Sequence, residues 1–276
     1  MLKYFIILIS FFISIPNLHS QLMSKKEEIY LEASKLMDSS MYEDAIKYFD
    51  WVIFKDDKYF QAHLKKAVCL SIIGNENEAV ISFDAALLNA KTIKEKAQVH
   101  YNRAISYSNL NKINESIKDY TETIKLNPKL GQAFNNRGLE KERLGDLEGA
   151  KSDINQAIIR DTNNASFLYN LGRIHLVQKN YELAALIFTK SLIRDRNYLL
   201  SYLKRGDCFA HQKKFKMAFS DFDHFIKFTP NNAEAYLKRG YCNMALKNND
   251  AACEDYRLSA KYGDKTAIDL INQFCK

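Results

Sequence analysis

Small residues recur through the chain on an almost fixed step: Ala45, Ala79, Ser116, Ala150, Ala184, Ala218 and Ala252. The intervals are 34, 37, 34, 34, 34 and 34 residues. Twelve residues before each stands another small residue: Ala33, Ala67, Ala104, Gly138, Gly172, Gly206 and Gly240. Four residues after each stands a large one: Phe49, Phe83, Tyr120, Ile154, Phe188, Phe222 and Tyr256. A period of this length marks a supersecondary unit repeated in series. Each unit holds two apolar runs spaced near 3.6 residues, the helical period. Gly74, Asn111 and Gly145 separate the runs in three units, and these residue types tolerate the left-handed backbone that ends a helix. Pro128 and Pro230 share one place at the end of a second run, where a helix must stop. The unit is therefore a helix–turn–helix hairpin. Its small residues let two helix backbones cross closely, and the large residue fills the space beside the crossing. Only nine Gly and three Pro in 276 residues agree with a helical chain.

The order small, small, large on a 34-residue period, with an occasional terminal Pro, resembles the tetratricopeptide repeat. "AFNNRGLEKERLGDLEGAKSDI" (133–154) and "AYLKRGYCNMALKNNDAACEDY" (235–256) are similar to its bacterial forms. The resemblance implies an all-α, right-handed α-solenoid of seven repeats over residues 21–265. The tail "DKTAIDLINQFCK" places Ala267, Leu270, Ile271 and Phe274 on one helical stripe, so a capping helix is expected at 266–276, covering the open face of the last repeat. Three places depart from the family pattern. Phe225 stands where a small residue is preferred, and Lys141 and Asn243 stand where an aromatic is common. The three-residue excess falls in "NAKTIKEK" (89–96), read as a charged inter-repeat loop, where extra length costs little.

The first twenty residues form a separate class. One Lys precedes an apolar run from Tyr4 to Ile15, Pro16 breaks it, and a polar tail ends at Ser20. This is the layout of a secretory signal peptide, with cleavage before Gln21. The run is too short to span a hydrocarbon core as a helix, and an uncleaved N-terminal anchor is the alternative. The expected location is outside the cytoplasm, periplasmic or extracellular. The residue usage and the Ser-Gln junction resemble envelope proteins of Gram-negative bacteria. The net charge of +7 is spread among acids rather than gathered in runs, which does not favour nucleic acid as a partner.

No Gly-rich phosphate loop, HExxH, GxSxG or paired CxxC occurs, so no enzyme motif, metal site or cofactor is expected. His63 and His100 hold equivalent places in neighbouring repeats and read as packing residues. "DFDHF" (221–225) reads as a solvated helix face rather than a metal site, which needs three or four converging ligands. Cys69, Cys208 and Cys242 share one place on first helices and read as small core residues. Cys253 and Cys275 each lie eleven residues from Asp264. An antiparallel hairpin turning at Asp264 brings them level, and a disulfide is expected between them in an oxidising compartment.

In the resembled family the first helices line a concave groove. Its register carries over to Tyr30, Leu64, Tyr101, Asn135, Tyr169, Leu203 and Leu237. One turn further on it gives Ile105, Leu139, Arg173, Asp207 and Tyr241, with Ser34 and Val68 in the first two repeats. This aromatic and apolar set suits a peptide or protein segment held by apolar anchors. No repeat has the Lys and Asn with which chaperone-binding members grip a terminal carboxylate. Arg103, Arg137, Arg205 and Arg239 share another place, with Leu171 standing in the fifth repeat. Their heads are expected to pair with neighbouring acids; a ladder for an anionic ligand is the other reading. The function implied is a non-catalytic interaction scaffold. The alternatives are an envelope protein binding peptidoglycan or another anionic polymer through its basic surface, and an enzyme whose site no motif reveals.

Overall fold

The structure is a computed structural model that describes residues 25–275; the expected signal peptide lies outside the described residues. Fifteen α-helices and no strand are found among them. They fall into two compact units, divided between Lys91 and Thr92. The first unit holds two hairpins, α1 (Lys25–Asp38) with α2 (Tyr42–Lys55) and α3 (Phe60–Ile72) with α4 (Glu76–Asn89). The second unit holds five. They are α5 (Ile93–Asn109) with α6 (Ile113–Leu126), α7 (Gly131–Arg143) with α8 (Leu147–Arg160), and α9 (Ala165–Val177) with α10 (Tyr181–Arg194). Then follow α11 (Leu199–His211) with α12 (Phe215–Phe228), α13 (Ala233–Ala245) with α14 (Asn249–Lys261), and a last helix α15 (Lys265–Phe274). Within the second unit each hairpin nests against the next, and the first helices α7, α9, α11 and α13 touch in series. This is the serial stacking of helical hairpins that the repeat pattern implies.

The recurrent small residues make the crossings. Ala45, Ala79, Ala150, Ala184, Ala218 and Ala252 are fully buried, as is Ser116, whose hydroxyl donates 2.9 Å to the Ala104 carbonyl across the hairpin. Phe49, Phe83, Tyr120, Phe188, Phe222 and Tyr256 are shut away beside them. Each such side chain contributes about 1.5–3 kcal/mol through removal from water. The contact is tight enough that at Gly206 a Cβ atom would stand 2.6 Å from the Phe222 ring, so glycine there sets the helix spacing.

Every intra-repeat turn has a left-handed residue at the same place. Gly74, Gly145 and Asn111 do this at low cost, but Ser40, Lys179, Lys213 and Lys247 also adopt φ between 58° and 65°. Such a conformation costs an ordinary residue roughly 1–2 kcal/mol. The packing of two helices offsets it, and the bonds that follow show how: Asn180 donates to the His175 carbonyl and Lys214 to the Phe209 carbonyl, both at 2.9 Å.

The insertion differs from the loop expected over 89–96. Only residues 90–92 lie outside helix, and α5 begins four residues earlier than its counterparts. The cause is a capping box. The Thr92 hydroxyl accepts from the Glu95 amide at 3.1 Å, and the Thr92 amide donates to Glu95 at 2.8 Å. Two orphan donors are satisfied reciprocally, which turns the extra residues into a further helical turn.

Phe225 is buried against Phe222, Ile226 and Ala235, so the sixth repeat takes a ring where others take a small residue. At the C-terminus Asp264 caps α15 through the Thr266 amide at 2.8 Å. Ala267 is buried against Ala252 and Tyr256. Cys253 and Cys275 are joined in a disulfide with Cα atoms 5.5 Å apart, closing 22 residues of sequence. A loop of that length stabilises by about 3 kcal/mol through the unfolded chain. Reduction, or Cys275→Ser, is therefore expected to lower unfolding free energy by about 2–3 kcal/mol. Amide exchange should rise most in α15; unchanged protection there after reduction would contradict this.

Candidate functional site

The first-helix faces carry the expected docking residues, and the structure sorts them. In the first unit Leu64 is buried, while Tyr30 is half-buried and its ring stands 6.0 Å from that of Phe49. In the second unit Asn135, Tyr169 and Leu203 are buried between elements, so these three and Leu64 serve packing more than an open wall. Tyr101, Ile105, Leu139, Arg173, Asp207 and Leu237 remain half-buried, and Tyr241 is exposed. The same division gives a physical pattern. The Tyr101 ring packs at 5.9 Å on Tyr120 and the Tyr169 ring at 5.8 Å on Phe188, so an aromatic at this place is drawn down onto the crossing ring.

Polar residues one place further along were not anticipated. Asn136 donates to the Tyr101 hydroxyl at 3.3 Å and the Asn170 side-chain amide to the Asn135 side-chain Oδ1 at 2.9 Å. These bonds join neighbouring first helices. Asn102, Asn136 and Asn170 recur at 34-residue steps, a pattern in the sequence that marks this place. Further along, Lys238 bridges Asp207 and Glu234, each at 2.6 Å, and Arg173 meets Glu142 at 3.0 Å. Burial pulls the Lys238 ammonium down, but Asp207 and Glu234 overcome this and hold it above the usual lysine value.

A cleft of about 930 Å³ opens where the third and fourth repeats meet, among α5, the end of α6 and the start of α7. Ile93 and Lys94, on the extra turn of α5, line it together with Leu126 and Leu130. Tyr101, Gln98 and Gln132 add polar atoms to the lining, and the buried Ala97 completes it on α5. Burial raises the Tyr101 phenol above its ordinary value, with the Asn136 bond acting in the opposite sense, so it remains a neutral donor.

The four arginines are not an open ladder. Arg103, Arg137, Arg205 and Arg239 each fork onto a buried aspartate sixteen residues on: Asp119, Asp153, Asp221 and Asp255. Three also reach back one repeat, Arg137 to Thr121 and Arg205 to Thr189 at 3.1 Å, and Arg239 to Asp223 at 2.7 Å. The couple thus ties a hairpin together and keys it to the one before. Asp221 is buried rather than on a solvated face, which corrects the reading of 221–225. Lys141 and Asn243, which replace the common aromatic, turn to the same aspartates, at 2.7 Å on Asp153 and 2.9 Å on Asp255. His100 lies 2.8 Å from Asp119. Burial pushes the Asp119 carboxyl up, but the Arg103 and His100 bonds outweigh it and hold it below the usual carboxylate range. In the fifth repeat both partners change at once, to Leu171 and Ile187, and both are buried. His175 holds the place of Lys141 and Asn243 there, and its Nδ1 is buried without a hydrogen-bond partner.

The remaining thiols are shielded. Burial pushes Cys69 up to about 11 and Cys208 and Cys242 up to about 12, so none is a ready nucleophile. No helix among the described residues is long and apolar enough to cross a membrane.

Two outcomes follow. Arg205→Leu leaves the Asp221 charge buried and is expected to cost about 3–5 kcal/mol in urea unfolding. Adding Asp221→Ile recreates the pair of the fifth repeat and should return stability to within about 1 kcal/mol of the parent; a double variant as weak as the single one would refute the exchange. His175 is held below its ordinary value by burial and by Lys151, with Glu148 opposing. The unfolded chain therefore binds more protons, so stability is full above the unfolded value, about 6.5, and is lost as pH falls below it. A pH series of thermal melts should show this acid loss, and His175→Gln should diminish it.

Models of the tetratricopeptide repeat match residues 30–95, 97–130, 135–198 and 234–262. The heat shock protein STI1 of Saccharomyces cerevisiae is 30% identical over 81 residues, 29% of this chain and 14% of that protein, so the chain spans a small part of that relative. A tetratricopeptide-repeat protein from Parabacteroides merdae superposes with TM-score 0.66 at 19% identity, covering 91% of this chain and 99% of its own. The C-terminal part of a repeat-containing protein from Cytophaga hutchinsonii gives 0.71 at 18%, covering 87% and 98%. YrrB, described as having an unusual peptide-binding site, gives 0.58 at 19%, covering 69% and 97%. At these identities the likeness concerns the fold.

Proposed function

We propose, from the premise that this chain belongs to the tetratricopeptide-repeat family, that it is an exported scaffold that docks a partner's peptide segment on the first-helix face of its second unit. Proteins built from these repeats generally mediate protein–protein contacts and are generally not catalysts. The observation that carries the reading is the cleft walled by the extra turn of α5. Apolar walls at Ile93, Leu126 and Leu130 suit one large apolar side chain. The carboxamides of Gln98 and Gln132 and the Tyr101 hydroxyl suit the flanking peptide backbone. A pocket that already exists limits the ordering cost of binding. The peptide-binding site named for YrrB supports the class of ligand. Export rests on residues 1–20. The ladder reading of the four arginines is not favoured, because each is engaged by an aspartate.

The test is selection from a displayed peptide library, followed by binding to Ile93→Glu/Gln132→Glu, two exposed sites whose change spares the core. Enriched peptides should share a bulky apolar residue and lose at least tenfold in affinity for the variant. Absence of enrichment, or equal affinity, would remove this face from the account.

A further inference from the structure

Helix α10 is apolar on the side that faces away from its hairpin. Its inner side buries Ala184, Ala185, Ile187, Phe188, Ser191 and Leu192. Its outer side presents Leu183, Leu186, Lys190 and Ile193, exposed by 44% at Leu183, 52% at Leu186 and 70% at Ile193. These four stand at i, i+3, i+7 and i+10, a single line along the helix. The same four places on α6 hold Glu115, Lys118, Glu122 and Lys125, while α4 has Ile81 and Leu88 there and α8 has Ile159; among the second helices, three large apolar residues share this line only on α10. A helix apolar on both sides is one whose second side is to be covered.

The surroundings indicate what covers it. Ile193 forms a ridge between two clefts of about 370 and 360 Å³. Leu168 and Ile158 line one, and Leu192 and Tyr202 line the other. Lys190 and Arg194 stand at the first and Arg196 at the second. Among the described residues these three cations make no ion pair, unlike the arginines at the hairpin crossings. A second copy of the chain, paired about a twofold axis, would bring these cations against their own images. A bilayer offers no fixed side chains to fill two clefts. A helix with apolar residues on one face fills them as knobs, and carboxylates on its flanks meet the three cations.

We propose that the outer face of α10 docks an acidic amphipathic helix of a partner protein, about three turns long to match the roughly 15 Å from Leu183 to Ile193. This surface centres on α10 and shares no lining residue with the peptide cleft of α5, α6 and α7, so the site is independent of that reading.

The probe is a pair of synthetic 14-residue helices with the same leucine face, one flanked by glutamates and the other by lysines. Fluorescence anisotropy with the full chain should show the glutamate helix binding at least tenfold tighter. Leu186→Ser/Ile193→Ser, both at exposed sites, should lose that binding at least tenfold while its melting profile is kept. Lys190→Glu/Arg194→Glu should reverse the preference between the two probes. Ile93→Glu/Gln132→Glu should leave it unchanged. Equal binding of both probes, or binding that survives in Leu186→Ser/Ile193→Ser, overturns the proposal. So does a dimer in sedimentation that this variant dissolves, since a second copy would then be the occupant. Flotation with phosphatidylethanolamine–phosphatidylglycerol vesicles, lost in the same variant, would make a lipid surface the occupant and equally overturn it.

Discussion

Everything in this fold depends on how closely two helix backbones approach at one crossing per hairpin. The approach is possible only where a residue has little or no side chain, and it is worth making only if a neighbouring side chain fills the remaining gap. Gly172 and Gly206 meet the rings of Phe188 and Phe222 so closely that even a methyl group would press on them. A ring in that place is removed from water on all sides, and it is held by dispersion contacts with both helices. Once the crossing is set, the turn between the helices has to close in a fixed number of residues. That demand explains why lysines accept a left-handed backbone at Lys179, Lys213 and Lys247. The local penalty is smaller than the loss that would follow from letting the two helices slide.

The arginine–aspartate couples add direction to a contact that is otherwise only close. Packing of apolar surface is tolerant of small rotations, whereas a guanidinium forked on a buried carboxylate is not. Their net contribution to stability is modest because both charges leave water. Their contacts with Thr121, Thr189 and Asp223 of the preceding hairpins show the more specific role, which is to fix one hairpin's angle against the last. The fifth repeat shows that an apolar pair can fill the same place. Leu171 and Ile187 fill the space with matching apolar volume, and Arg205 still reaches back to Thr189 on the altered hairpin. The stranded His175 nitrogen is the residue of that exchange, a polar group kept at a place where its counterparts in other repeats find a carboxylate.

The helical hairpins were legible because period and residue size are properties of the sequence alone. Crossing residues, crossing rings and the left-handed Asn111 and Gly145 all follow from steric rules that act within one repeat. What was not legible depends on distances between repeats or on competition between local bonds. Tyr169 and Asn135 hold places that face a groove in the family register, yet each is buried because a ring below or an amide beside it draws it in. The residues 89–96 look like a loop by charge, but Thr92 and Glu95 satisfy each other's amides and the backbone coils instead. Ser40 and the three turn lysines have no left-handed preference of their own. The arginine–aspartate couples were half visible: the arginines repeat, and the sixteen-residue partner repeats with them, including its joint loss at Leu171 and Ile187.

A series of hairpins that contact only their neighbours can change one member without disturbing those further along. The fifth repeat has used that freedom twice. It carries Leu171 and Ile187 in place of the arginine–aspartate couple, and its second helix presents Leu183, Leu186 and Ile193 on the outer side. These two changes lie on one helix, at Ile187 and at its sequence neighbour Leu186. Burying an aspartate at 187 would have required the arginine at 171 to answer it, and would have placed a carboxylate directly beneath a surface ringed by Lys190, Arg194 and Arg196. That carboxylate would nevertheless be answered by its own arginine on the inner side of the helix, as Asp221 is by Arg205, and the couple would be neutral in sum. The outer face therefore keeps the same exposed cations whichever pair fills the crossing, and the change inside the hairpin and the pattern on its surface are separable, as expected of a unit that touches only its neighbours.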